Sequence, residues 1–113
     1  MINFMVRYKA ATMDALVRFY AEIQLCGAIA KTRGEAGCIR YEYFFPAVTL
    51  FDNEVFKDPD YKPDAEMFLW EQWESRDAQA AHTKQPHFQK IGELKAKYGV
   101  TSSFDVQDIL TPF

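Results

Sequence analysis

The sequence predicts an α+β domain on the split βαβ, ferredoxin-like plan, with elements in the order βαββαβ and one antiparallel sheet. Three observations predict it. Period-two alternation or β-branched and aromatic runs mark strands near the start, before Pro46, from Met67 to Glu74 and near the end. Helical spacing fills the stretches after the first and third of these. No internal repeat or low-complexity segment interrupts the order. Helices on only one face leave the other apolar face of the sheet in need of a partner, so a homodimer burying sheet against sheet is expected.

Strand one covers Met1 to Lys9, where Ile2, Phe4, Val6 and Tyr8 alternate with Asn3, Met5, Arg7 and Lys9. Thr12 caps a helix with Asp14 in its first turn. Leu16, Phe19, Ile23, Cys26 and Ala30 form its inward stripe, and it ends near Gly34. Gly37 releases the chain into strand two, Cys38 to Phe45, which Pro46 stops. Residues 46–66 mix Asp52, Glu54, Asp58, Asp60, Asp64 and Glu66 with Phe51, Phe56 and Tyr61 around Pro59 and Pro63, too irregularly for a regular element. They form an extended connection between strands two and three that could close over a pocket, reach across a dimer or be solvated. Strand three is Met67 to Glu74. Ser75 then caps a short helix broken at Pro86, and Phe88, Ile91, Leu94 and Tyr98 resume helical spacing until Gly99. Phe104 and Val106 begin strand four.

Composition bounds the function. The 113 residues suit a single domain, 1–113, with one core. A net charge of −3 without any Lys or Arg run excludes nucleic acid and anionic membrane partners. The longest apolar runs fall far short of the ~18 residues a membrane span needs, so the protein reads as soluble and cytoplasmic. Cys26 and Cys38, twelve positions apart without metal-type spacing, read as reduced, buried structural thiols. Ten Phe, six Tyr and two Trp exceed what a small monomer easily hides, which points to an aromatic-lined pocket or an interface.

Both tryptophans and both histidines stand within the twenty residues that begin at Phe68. On strand three Met67, Leu69, Glu71 and Trp73 share one face, and Phe68, Trp70, Gln72 and Glu74 the other. Glu71 beside Leu69 and Trp73 requires either a raised pKa or a cationic partner, for which Arg40 on the neighbouring strand is the candidate. His82 shares its short helix with the small Ala78 and Ala81, which suits a pocket wall. Its imidazole could take a proton from a phenol or an enolisable carbonyl, with Tyr41, Tyr43 and Trp73 holding an aromatic ring, or could serve as a structural hydrogen-bonder. His87, after Pro86, is a weaker substrate-binding candidate or a helix-start residue. Five residues and a proline separate the histidines, and neither His-x-x-x-His nor His-Glu-x-x-His is present, so no metal is expected. Phosphate loops and serine nucleophile elbows are also missing from the sequence.

Glu35-Ala36-Gly37-Cys38 entering Ile39-Arg40-Tyr41-Glu42, then Glu71-Gln72-Trp73-Glu74-Ser75, then His82 and Pro86-His87-Phe88, resembles the antibiotic biosynthesis monooxygenase superfamily, most of all its small quinol monooxygenases. The resemblance covers nearly the whole chain outside 46–66. It implies a homodimer whose sheets form an α+β barrel, with a pocket in each protomer between sheet and helices. It also implies oxygenation without metal, flavin or haem, O2 being the co-substrate and a quinol or other small aromatic the substrate. On that pattern His82 is the base, Trp73 and Tyr41 shape the pocket, and Glu71 or Arg40 orients the substrate. The haem-degrading branch uses an Asn on strand one and a His within the last helix, where this chain has Arg7 or Tyr8 and Gly92, so haem degradation is disfavoured. Other relatives of the superfamily are isomerases of small keto or sugar-derived compounds, and some members have no demonstrated activity, which leaves an isomerase and a non-catalytic aromatic-ligand-binding dimer as alternatives.

Overall fold

The computed structural model describes residues 1–45 and 65–109, with side chains through Phe104. Most of the predicted connection at 46–66 lies outside the described residues. The elements are β1 (Ile2–Lys9), α1 (Met13–Leu25), α2 (Ala28–Arg33), β2 (Cys38–Phe44), β3 (Glu66–Trp73), α3 (Arg76–His82), α4 (Pro86–Tyr98) and β4 (Thr101–Ile109). The strands form one sheet in the order β2-β3-β1-β4, and every neighbouring pair is antiparallel. This is the ferredoxin-like arrangement the element order requires.

The alternating pattern of β1 turns Ile2, Phe4, Val6 and Tyr8 inward, and β3 turns Met67, Leu69, Glu71 and Trp73 the same way. Against them pack Leu16, Phe19 and Ile23 of α1, Ile29 of α2, and Ile91 and Leu94 of α4. Each large apolar side chain removed from water in this layer stabilises the fold by ~1.5–3 kcal/mol. Thr12 accepts a hydrogen bond from the Ala15 N–H at 3.2 Å, and Ser75 one from Ala78 N–H at 3.1 Å, so both predicted caps form. Gly99, at φ +64°, closes α4 in the left-handed conformation expected of it.

Two local features depart from the sequence pattern. The single helix expected up to Gly34 is broken at Gly27, whose φ of +83° ends α1 and restarts the chain as α2. The break turns the stripe. Cys26 and Ala30 are therefore exposed, while Ala28, Ile29 and Thr32 face the core. Cys26 is thus not a buried thiol, and Cys38 is only half buried. In β2 the register against β3 shifts between Cys38 and Arg40, leaving Ile39 as an extra, exposed residue. That bulge keeps Cys38, Tyr41 and Tyr43 facing the helices and turns Arg40 away.

Gly37 governs the approach of the loop before β2. Its φ is +85°, and a Cβ on it would lie 2.6 Å from the Ala78 Cβ. Only glycine lets this loop lie against α3, and the Gly37 carbonyl accepts the Glu74 N–H at 2.8 Å. The consequence is functional: Glu35, two residues earlier, is brought to the end of α3.

Candidate active site

Between the sheet and α4 lies a cavity of about 170 Å³. Its sheet wall comes from Val6, Tyr8, Tyr41, Glu71, Ser102 and Phe104, and its helical wall from His82, Phe88, Ile91, Gly92 and Lys95. Gly92 contributes no side chain, and a Cβ there would meet nothing within 4 Å, so part of the space exists because α4 carries a glycine at this point. The volume is close to the ~150 Å³ apolar cavity known to hold benzene, hence suited to one aromatic ring. A larger depression of about 620 Å³ lies between α1 and α4. It is open to solvent, and its charges are already paired, Lys97 with Glu22 at 3.0 Å and Lys90 with Glu93 at 3.6 Å. Such a groove supplies no desolvated reactive group, so the smaller cavity is the candidate site.

His82 is 2 % exposed, and its Nδ1 lies 2.7 Å from Glu35 Oε2. The carboxylate accepts the Nδ1 proton, which leaves Nε2 with the lone pair. Among the described residues Nε2 has no hydrogen-bond partner. Burial holds the His82 pKa below the usual imidazole value, although Glu35 pulls it upward, so the ring is neutral at pH 7. The same Glu35 oxygen takes a second hydrogen bond from His87 Nε2 at 2.9 Å. One carboxylate thus orients both imidazoles.

Glu71 is 6 % exposed and is pushed up to about 7, first by burial and then by the charge of Glu35, against the Trp73 Nε1–H that donates to its Oε1 at 3.0 Å. It exchanges between carboxylic acid and carboxylate near neutrality. Tyr8, Tyr41 and Tyr43 form a hydroxyl chain, 3.4 Å from Tyr8 to Tyr43 and 3.0 Å from Tyr43 to Tyr41, and burial keeps all three protonated. Lys95 donates to Ser102 Oγ at 2.6 Å, and its partial burial lowers its pKa. The cavity therefore offers a base, an acid of neutral pKa, a cation and aromatic walls.

Residues 21–94 match the sequence profile of the antibiotic biosynthesis monooxygenases. The chain belongs to that family. This monooxygenase-family protein resembles several solved structures. One is a Bacteroides thetaiotaomicron protein of unknown function described as a possible oxidoreductase, 16 % identical, with a TM-score of 0.68 and 92 % of each chain covered. A second is a proposed antibiotic biosynthesis monooxygenase from Deinococcus radiodurans, 14 % identical, with a TM-score of 0.63 and all of both chains covered. The Streptomyces nogalater protein SnoaB, described as a cofactor-independent oxygenase, is 14 % identical with a TM-score of 0.63, over 99 % of this chain and 94 % of its own. At these identities the likeness establishes the fold. A search of the curated proteins finds no significant match. Among the described residues no helix is long and apolar enough to cross a membrane.

Within this family member the residues singled out from sequence fall into three positions. His82, Glu71 and Tyr41 line the cavity. Trp73, Tyr43 and His87 stand behind that lining: Trp73 is fully buried with its ring centroid 5.0 Å from that of His82, Tyr43 joins the hydroxyl chain, and His87 reaches Glu35. Arg40 is on the other face of the sheet. It lies over the Trp70 ring at 4.2 Å and bonds Gln72 and Glu42, so it neither pairs with Glu71 nor reaches the cavity. The bulge at Ile39 is the physical cause. Ala81 is exposed, so the space beside His82 comes from Gly92 rather than from small residues on α3. The histidines, five residues apart across Pro86, meet all the same, with ring centroids 6.0 Å apart. Sequence reasoning missed Glu35, Tyr8, Lys95 and Ser102 as site residues. Tyr8 carried a usable signal, the last inward position of β1, whereas Glu35 stood in the Glu35-Ala36-Gly37-Cys38 motif of the family resemblance with no role attached to its carboxylate.

Proposed function

We propose that the protein is a cofactor-independent monooxygenase of a hydroquinone or related single-ring phenol, with O2 as co-substrate. The observation that carries this reading is His82, a neutral imidazole held by Glu35 in the tautomer that leaves Nε2 basic, lining a ring-sized aromatic cavity. In the proposed reaction Nε2 removes a phenolic proton and Glu35 stabilises the imidazolium. The electron-rich phenolate passes an electron to O2, and the two radicals combine at a ring carbon. One oxygen atom stays on the ring and the other leaves as water: hydroquinone and O2 become hydroxyquinone and water, with all four electrons supplied by the substrate. Glu71 in its acid form and Lys95 favour the substrate oxygens as they gain charge, and the buried cavity limits access of water to the radicals. Trp73 and Tyr43 hold Glu71 and Tyr41 in place.

Oxygen uptake with hydroquinone and with methylhydroquinone, autoxidation subtracted, tests the proposal, and the two-ring reduced menadione tests whether the cavity admits more than one ring. His82→Ala should lower turnover roughly 10²–10⁴-fold with the circular dichroism spectrum retained, and unchanged turnover in that folded variant overturns the assignment. Glu71 and His82 on one cavity also suit a proton-shuttling isomerase of a small keto compound. Full turnover of such a compound without O2 decides for that reading. Saturable binding of an aromatic with no product by mass spectrometry makes the protein a binding dimer instead.

The homodimer is likewise proposed, on the evidence of the sheet face away from the helices. Phe44 and Phe68 stack there at 5.8 Å, Phe44 is 42 % exposed, and Trp70 lies beside them only partly covered. A second copy of the sheet would bury this face.

A further inference from the structure

We propose that Glu35, His82 and His87 form a binding site for a borderline divalent metal ion such as Zn²⁺, and that the ion switches the enzyme off. The three side chains offer Glu35 Oε2, His82 Nδ1 and His87 Nε2, all within 4.8 Å of one another. They come from three elements: the loop before β2, the end of α3 and the first turn of α4. Both imidazole nitrogens point at one spot, now held by Glu35 Oε2, at 2.7 and 2.9 Å. Around a tetrahedral zinc with bonds of about 2.0–2.1 Å, ligand atoms stand roughly 3.4 Å apart. Reaching that spacing requires the carboxylate to withdraw by about half an ångström and the two imidazole nitrogens, which stand up to 4.8 Å apart, to close on each other by up to roughly 1.4 Å, a movement within the reach of small side-chain rotations. Glu35 and His87 are 12 % and 11 % exposed, so the cluster is reached from solvent on their side while His82 closes it from within. Two imidazoles and one carboxylate suit zinc, cobalt or nickel rather than magnesium or calcium, and three protein ligands leave one position for water.

The consequence follows from the tautomer. A metal on Nδ1 of a neutral imidazole forces its proton onto Nε2, the atom assigned above as the base. The metal-loaded protein then has no lone pair to offer the substrate. This inhibitory step rests on the proposed role of His82, whereas the binding itself does not.

Binding is therefore measured without turnover. Isothermal titration of Zn²⁺ into the full chain should show one ion per chain, and Co²⁺ should develop visible absorption of tetrahedral type. His87→Ala and Glu35→Gln should each weaken binding by roughly ten-fold or more, as removal of one donor does. Cys26→Ser, which removes the exposed thiol, should leave binding unchanged. Nitrogen NMR of the unaltered protein with Zn²⁺ should place the metal on Nδ1 of His82 and Nε2 of His87, so the conclusion does not depend on the variants folding. Absence of stoichiometric Zn²⁺ binding, or ligation that bypasses either histidine, overturns the proposal. If an ion binds as described and oxygen uptake by an active enzyme persists, the site stands and the switch is refuted. If no oxygen uptake is found with any substrate, the monooxygenase reading fails and the binding result still decides the site.

Discussion

Among the described residues Glu71 is a buried carboxylate without a cationic partner in the hydrogen bonds and ion pairs it makes, and its cost has a defined pH window. Burial raises its folded pKa to about 7 from an ordinary 4.5, so between those values the native state binds a proton that the unfolded chain has released. The associated stability is fully present below about pH 4.5 and is lost as pH rises through about 7. At ~1.4 kcal/mol per unit the difference amounts to about 3 kcal/mol. Glu71→Gln, which cannot ionise and still accepts from Trp73, should match the wild type near pH 4.5 in urea unfolding and exceed its stability by up to ~3 kcal/mol at about pH 8. A variant that loses stability at both pH values would show that the carboxylate has a compensating partner. Glu35 acts at the same scale through a different effect. Glu35→Gln keeps one acceptor oxygen but removes the negative charge that holds both imidazole protons and would stabilise the imidazolium, and should reduce kcat roughly 10- to 100-fold with KM little changed. A KM effect without a kcat effect would make Glu35 a substrate contact rather than an orienter.

At the scale of the elements, the caps and breaks decide where the site residues end up. Gly37 occupies a left-handed backbone conformation and touches Ala78, so Gly37→Ala combines a conformational penalty with a steric one. A loss of roughly 2–4 kcal/mol is expected in thermal or urea unfolding, with His82 displaced from Glu35. Ser75→Ala should cost about 1 kcal/mol by removing the first-turn acceptor of α3. The strands and their faces were legible in the sequence because one-sided burial imposes alternation. Thr12, Ser75 and Gly99 were legible because cap geometry demands those residue types. Gly27 was not, because the apolar spacing of Leu16, Phe19 and Ile23 continues through Cys26 to Ala30 as though the helix did. The Ile39 bulge was equally silent: a one-residue insertion in a ladder shows only in the register against the partner strand, and it reversed the expected direction of Arg40.

For the whole molecule, one face of the sheet is covered by four helices and the other is left with Phe44, Phe68 and Trp70 partly exposed. If that face is the dimer interface, sedimentation equilibrium at micromolar concentration should give twice the chain mass. Trp70→Glu should then give the monomer, because a charge in the centre of a buried sheet interface costs several kcal/mol. A wild-type monomer would remove the sheet-to-sheet dimer from consideration.

The sequence by itself determined the βαββαβ order, the inward face of each core strand, the helix caps and the local concentration of Glu71, Trp73, His82 and His87. These are consequences of period, cap chemistry and proximity along the chain. Only the tertiary structure decided that Glu35 would bind both histidines, that Lys95 would face Glu71 and Tyr8 across a cavity opened at Gly92, and that Arg40 would be excluded. Those contacts join residues distant in sequence, and their geometry depends on a bulge, a left-handed glycine and the close approach of a loop to α3. None of these leaves a period in the chain.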